Sequence, residues 1–194
     1  MTGVPLLSTA RFDLWQPRAG DHRGLFALLQ NDETARYLGG MAQTESDAFA
    51  RTLRNAGSWA LYGYGSFVVR QTGQDRIVGS CGVFRSFRGF GAEVGFDDAA
   101  EAGWIVHREL WGQGAATEIM RAVLAWFDAA HAPQRLVCMI EEGNEASVRV
   151  AERLGFVTLA SHRPEGQTEV LKLFERRPVC DDVSNQAMST INRG

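Results

Sequence analysis

Two glycines one residue apart, Gly112 and Gly114, separate the apolar run Ala102-Gly-Trp-Ile-Val106 from a segment whose apolar residues recur every three or four positions. A strand, a glycine turn and a helix in that order expose main-chain N–H groups and add the positive end of the helix, so an anion such as a pyrophosphate is the natural occupant. On spacing alone, the same glycines also serve a tight turn that holds nothing, and both readings stay open. A P-loop is excluded, because GxxxxGK[ST] needs a lysine that is not there. A dinucleotide fingerprint would place its third small residue at Thr117 and needs an acid about 20 positions on, within a first βαβ unit. Here the turn lies past the middle of the chain and Glu141 and Glu142 come late. A nicotinamide-dependent (NAD(P)) oxidoreductase is therefore the inferior alternative.

The elements that must position this turn follow from periodicity. Ala115, Ile119, Met120, Val123, Trp126 and Phe127 make the apolar stripe of a helix over 114–130, with Glu118, Arg121 and Asp128 elsewhere on the wheel. Arg135-Leu-Val-Cys-Met-Ile140 reads as a buried strand. Asn144 is a suitable N-cap for a helix to Leu154, which Gly155 ends in the left-handed conformation. Closing strands near 157–161 and 169–174 flank a turn at 164–167. Upstream, 7–16 reads as a first strand, Asp21 as the cap of a short helix bearing Leu25, Phe26, Leu28 and Leu29, and 32–38 as a further turn or two. Thr44-Glu-Ser-Asp47 opens a helix carrying Phe49, Leu53 and Trp59. The runs 66–70 and 77–84 are joined at Thr72-Gly-Gln-Asp75 as a hairpin. The fold class is α/β (α+β mixed): one domain over 1–177 with a central mixed, mostly antiparallel twisted sheet flanked by helices, then a polar tail over 178–194.

The chain of 194 residues has 20 basic and 23 acidic side chains and a net charge of −3, which is no nucleic-acid footprint. It has no signal-like start and no run of about 20 apolar residues, so no membrane partner is expected. Cys81, Cys138 and Cys180 are read as reduced thiols in a cytoplasmic protein, and the four histidines share no metal-ligand spacing, so no metal is expected.

Glu101-Ala-Gly-Trp-Ile-Val106, Leu110-Trp-Gly-Gln-Gly-Ala-Ala-Thr-Glu118 and Asn144-Glu-Ala-Ser-Val-Arg-Val-Ala-Glu-Arg-Leu-Gly-Phe156 together resemble the GNAT superfamily of N-acetyltransferases. Arg36-Tyr-Leu-Gly39, Gly63-Tyr-Gly65 and Ile77-Val-Gly79 point to its RimJ/RimL-like branch, the ribosomal-protein N-terminal acetyltransferases, and extend the resemblance over roughly residues 7 to 175. The resemblance implies a GNAT-like domain using acetyl-CoA as cosubstrate and a primary amine as acceptor, with a homodimer among the expected assemblies. It implies that the strand through Trp104, Ile105 and Val106 pairs with the pantetheine arm. The amides of Gly112, Gln113, Gly114, Ala115 and Ala116 would hold the pyrophosphate, Asn144 would touch the pantetheine, and Arg149 or Arg153 would reach the 3′-phosphate.

Acetyl transfer needs a neutral amine, a polarised carbonyl and a proton for the leaving thiolate. At pH 7 an α-amine costs about 1 kcal/mol to neutralise and a lysine-like amine about 4.6. Glu101, at the head of the strand, is the candidate base beside the bland reading of a solvated carboxylate, with Glu93 a weaker substitute. Ser147 is the candidate thiolate partner, beside the bland reading of a first-turn helix residue. Many GNAT enzymes carry a tyrosine seven residues after the asparagine, where Ala151 stands here, and this keeps a non-catalytic CoA-binding module as an alternative. Glu109 departs from the Gln or Arg common at its place and must point away from a pyrophosphate. Trp15, Trp59, Tyr62 and Tyr64 are either core or acceptor lining. The acids Glu93, Asp97, Asp98 and Glu101 are either solvated or a field for a cationic amine.

Overall fold

The computed structural model describes residues 3–30, 35–37, 44–164, 166 and 168–178. The turn expected over 32–38 and the Arg36–Gly39 motif fall largely outside these residues. So do Cys180, half of the turn at 164–167 and all of the tail except Pro178.

What reads as one N-terminal strand is two, β1 (Leu7–Ser8) and β2 (Phe12–Trp15), paired antiparallel. Thr9 breaks the run: its Oγ1 accepts the N–H groups of Arg11 and Phe12, and its own N–H reaches the Phe12 carbonyl at 2.8 Å. Helix α1 (Asp21–Leu29) starts from Gly20 at φ 92°, so Asp21 is not the cap but the first helical residue. Its carboxylate accepts the Arg18 N–H and pairs at 2.5 Å with Arg70, both side chains being buried.

Helix α2 (Glu45–Tyr62) begins with the capping box of Thr44 and Asp47 and ends at Gly63, φ 76°. Asn55 exchanges two hydrogen bonds with the Ser66 backbone and Trp59 Nε1 adds a third, which fixes the rotation of the helix. That rotation buries Ala48, Thr52 and Ser58 and leaves Phe49 and Leu53 about half exposed, so these two are not part of the face expected to pack.

Strands β3 (Ser66–Gln71), β4 (Ile77–Phe84), β5 (Ala100–Val106), β6 (Leu136–Glu141), β7 (Val157–His162) and β8 (Leu171–Arg176) complete one sheet in the order β1-β2-β3-β4-β5-β6-β8-β7. Every described pairing is antiparallel except β5 with β6, which the helix α3 (Ala115–His131) connects. Helix α4 (Glu145–Arg153) follows β6. The stripe read from sequence is the one that packs: Ile119, Met120, Val123 and Phe127 are fully buried against Phe12, Phe67, Val69, Cys81 and Ala102. Each such side chain contributes about 1.5–3 kcal/mol of burial. A smaller cluster of Phe96, Ala99, Val137 and Leu173 forms apart from it, Val137 facing the opposite way from Leu136 and Cys138. The doubly wound parallel sheet that a nicotinamide-dependent enzyme would need is not this architecture.

Candidate active site

Strands β5 and β6 pair only at Ala100–Leu136 and Glu101–Val137, then part. On its other edge β5 stays paired with β4 along its length, from Phe84–Glu101 to Gly79–Val106. The His107 N–H reaches the Val78 carbonyl at 2.8 Å, and main-chain groups alternate sides along a strand. Trp104 and Val106 therefore turn their peptide groups into the gap. The Val106 carbonyl is met there by Trp111 Nε1 at 2.9 Å. A strand edge left open in this way is the surface on which an extended, amide-rich ligand adds as another strand.

At the far end of β5 the chain makes a short 3-10 turn, Arg108–Leu110, and reaches Gly112 and Gly114 at φ 72° and 73°. A Cβ at either glycine would meet nothing within 4 Å, so the turn borders open space. Gly114 caps α3 without a side chain, so the N–H groups of Ala115, Ala116 and Thr117 have no acceptor within the helix. The side chains around the turn are drawn away from it. Glu109 points to Arg76 (2.9 Å), whose hydrogen bond holds that carboxyl below its usual range. Gln113 Nε2 donates to the Glu109 carbonyl at 2.6 Å. Arg11, from the head of β2, donates to the Gln113 carbonyl and pairs with Glu118 at 2.7 Å. Burial alone would raise the Glu118 carboxyl, but hydrogen bonds from Thr9 and Arg11 prevail and hold it below its ordinary value. What remains facing outward is a nest of main-chain donors at a positive helix end.

Across the gap, Asn144 caps α4 as expected, its Oδ1 accepting the Ser147 N–H at 3.1 Å. Ser147 is thus held in the first turn of the helix, half-buried, and its Oγ has no hydrogen bond to any described residue. Arg149 and Arg153 are exposed and, four residues apart, share one stripe of α4. Ala151, in the place of the tyrosine common in similar enzymes, is fully buried.

Glu101 occupies the last paired position before the strands part, and it is 3% exposed rather than solvated. Arg88 grips it with two nitrogens, Nε to Oε2 at 2.9 Å and Nη2 to Oε1 at 2.8 Å, and Ser86 Oγ donates to Oε2 at 2.5 Å. Two of the other acids near it are also engaged, and Glu93 is exposed. Asp97 accepts the Arg88 and Phe90 N–H groups, and Asp98 pairs with Arg135 at 3.0 Å. Three of the four acids expected to form a field for a cationic amine, Asp97, Asp98 and Glu101, are therefore spent on internal bonds. The acceptor-lining reading of the aromatics gives way in the same manner. Trp59 stacks edge-on with Phe67, Tyr64 meets Phe127, and Trp15 is buried under Arg18, while Tyr62 alone of the four is exposed.

The spacing of residues does not reveal the roles of Arg88 and Ser86 on Glu101, of Arg11 on the turn, or of Trp111 on Val106. Trp111 lies inside the Leu110–Glu118 motif, and that position is the signal that could have marked it. Arg11 and Arg88 carry no local signal.

The sequence matches the Acetyltransferase (GNAT) domain family over residues 11–157. Among solved structures, a GnaT-family acetyltransferase from Bordetella pertussis is 33% identical, covers 88% of this chain and 98% of its own, and superposes with a TM-score of 0.77. The ribosomal-protein-S5-alanine acetyltransferase of Vibrio fischeri shares the fold at 17% identity, TM-score 0.72, over 91% of this chain and 97% of its own. An acetyltransferase from Salmonella typhimurium that modifies the N-terminal serine of ribosomal protein L7/L12 does so at 16%, TM-score 0.68, over 90% and 98%. With a parted strand pair beside a glycine turn of free amides, and a family match over most of its length, this chain belongs to the GNAT family and is an acetyl-CoA-dependent acyltransferase.

Proposed function

We propose that the protein acetylates a primary amine, a peptide N-terminus or a small molecule, by direct attack of the amine on acetyl-CoA in a ternary complex. The observation that carries the reading is the parting of β5 and β6 immediately after Glu101, with the glycine turn at the other end of the same strand. The pantetheine would run along Trp104, Ile105 and Val106, with its pyrophosphate on the amides of Gly112 to Ala116 and its 3′-phosphate toward Arg149 or Arg153. The thioester carbonyl would then come to the apex of the opening, where a main-chain N–H can polarise it.

Glu101 is the proposed acceptor of the amine's proton. Because Arg88 and Ser86 already engage both its oxygens, the role suits an α-amine, which costs only about 1 kcal/mol to neutralise at pH 7. Ser147, with its Oγ uncommitted, is the proposed donor to the leaving thiolate, and Asn144 orients it through the helix cap. The protein would work in the cytoplasm, a setting that suits the free, buried thiols of Cys81 and Cys138, and a homodimer is the proposed assembly.

The test is calorimetry with CoA and acetyl-CoA, followed by thiol release against a panel of amines and N-terminal peptides. Binding with turnover, slowed about tenfold or more in Ser147→Ala, is the expected result. Binding without thiol release from any amine would make the chain a CoA-binding module, and no binding of either form at millimolar concentration would refute the proposal.

A further inference from the structure

Glu101 is held asymmetrically. Its Oε2 accepts two hydrogen bonds, from Ser86 Oγ at 2.5 Å and Arg88 Nε at 2.9 Å, and its Oε1 accepts one, from Arg88 Nη2 at 2.8 Å. A carboxylate oxygen offers about two lone-pair sites, so Oε2 is filled and Oε1 keeps one site that no described residue takes. The donors are themselves braced. Asp97 accepts the Arg88 N–H at 2.6 Å on one oxygen and the Phe90 N–H at 3.0 Å on the other, which clamps the chain across Gly89 at φ 73°. Arg85 in turn donates to the Asp97 and Asp98 carbonyls. Two side chains that converge on one carboxylate from a cross-tied loop fix its direction as well as its charge.

The side on which Glu101 lies follows from alternation. Ala100 and Ala102 face the α3 core, so Glu101 between them faces the other side of the sheet, with its register partner Val137. Phe96 and Ala99 pack on Val137, which places the 85–99 loop on that same side. Helix α4 is on the opposite one, since Ala151, with Leu154 and Phe156 behind it, belongs to the α3 core. The opening between β5 and β6 is thus a slot in the sheet. The candidate proton acceptor stands on one face of it, and the helix that carries Ser147 on the other.

We propose that Ser86 and Arg88 are positioning residues for acetyl transfer: by filling Oε2 they leave Oε1 as the atom of Glu101 that takes the amine's proton, and the acceptor enters from the loop face of the sheet. This rests on the acetyl-transfer reading with Glu101 as proton acceptor, and adds to it a working atom and a direction of approach. The amine nitrogen bonds to the thioester carbon from the loop face as its proton passes to Oε1. The C–S bond breaks, and the thiolate leaves toward α4 and takes a proton from Ser147. Solvent then removes the proton from Glu101 and returns one to Ser147.

The test measures thiol release by the full chain at saturating acetyl-CoA, with the fastest acceptor of a panel that includes alaninamide, a seryl peptide and spermidine. Ser86→Ala should lower kcat about tenfold, the effect of one charge-assisted hydrogen bond, while the KM for acetyl-CoA stays within about twofold. Ser86→Thr, which keeps the hydroxyl, should recover most of the loss. Arg88→Lys, which keeps the charge and loses the fork, should be slowed at least as much as Ser86→Ala. Two readouts separate positioning from a merely structural role. The Ser86→Ala deficit should shrink as pH rises past the acceptor's own pKa, about 7.7 for an α-amine, because the nitrogen then arrives neutral. In a Glu101→Gln background Ser86→Ala should change kcat by less than about twofold, since a residue acting through the carboxylate has nothing left to act on. Calorimetry with acetyl-CoA on each variant reports the folded, binding-competent fraction. Ser86→Ala and Arg88→Lys as fast as wild type, a deficit that is the same at every pH, a tenfold loss repeated in the Glu101→Gln background, or Glu101→Gln with wild-type turnover would each overturn the inference and spare the acetyltransferase reading. No thiol release by the wild-type chain from any member of the panel would overturn both.

Discussion

The glycine turn at 107–118 and the loop at 85–99 stand at opposite ends of β5 and hold charge by different means. The turn presents main-chain N–H groups, and its side chains are pulled aside, Glu109 to Arg76 and Glu118 to Arg11. The loop presents guanidinium groups, and its main chain is occupied in bracing Asp97 and receiving Arg85. A grip made of backbone depends on φ angles and suits a ligand common to a whole family. One made of side chains can be rewritten residue by residue, which suits the partner that varies.

If that division is right, the largest effect should come from altering the backbone of the turn. Gly112→Val forces a β-branched residue to φ 72°, a cost of about 1–3 kcal/mol, and turns an N–H from its ligand. The affinity for acetyl-CoA should fall about a hundredfold by calorimetry, since two lost increments of 1.4 kcal/mol suffice. Undiminished affinity would show that the amides are not the grip. At the other end, Glu101→Gln should act on stability and turnover while sparing acetyl-CoA affinity. Removing the charge from Glu101 leaves Arg88 without its anion, and because Arg88 is partly exposed the cost is about 1–2 kcal/mol, or a few degrees in melting temperature. Turnover should drop markedly. Turnover unchanged at a lowered melting temperature would reduce Glu101 to an anchor for Arg88. Trp111→Phe comes next, because it keeps the ring and deletes only the hydrogen bond to the Val106 carbonyl. About 1 kcal/mol should be lost, seen as a several-fold rise in KM for acetyl-CoA.

The same contrast explains which parts of the molecule are legible in its sequence. The α3 stripe, the Asn144 cap and the Gly112–Gly114 turn are local: periodicity, cap chemistry and positive φ are all encoded within a few residues. The parallel pairing of β5 with β6 follows from the helix between them. The environment of Glu101 is not legible, because its partners lie 13 and 15 residues upstream in an irregular loop. Phe49 and Leu53 mislead for a related reason. Their helical spacing is genuine, but Asn55 and Trp59 set the rotation of α2 by hydrogen bonds that hydrophobic pattern does not record.

The smallest effect is the one that most sharply probes whether the turn is held by main chain alone. Arg11 reaches it from β2, pairing with Glu118 and donating to the Gln113 carbonyl at 3.1 Å. With both side chains partly exposed, the pair contributes under about 1 kcal/mol, and Arg11→Gln should lower stability at pH 7 by no more than that. Since the Glu118 carboxyl is held below its usual value in the folded state, its contribution is present above the unfolded carboxyl range, about pH 4.3, and fades as pH falls through the folded value. Denaturation of wild type and Arg11→Gln should therefore converge in acid. If the variant instead loses acetyl-CoA affinity by tenfold or more at pH 7, a change of about 1.4 kcal/mol, then a side chain from β2 sets the shape of the turn. The two ends of β5 would then differ in degree and not in kind.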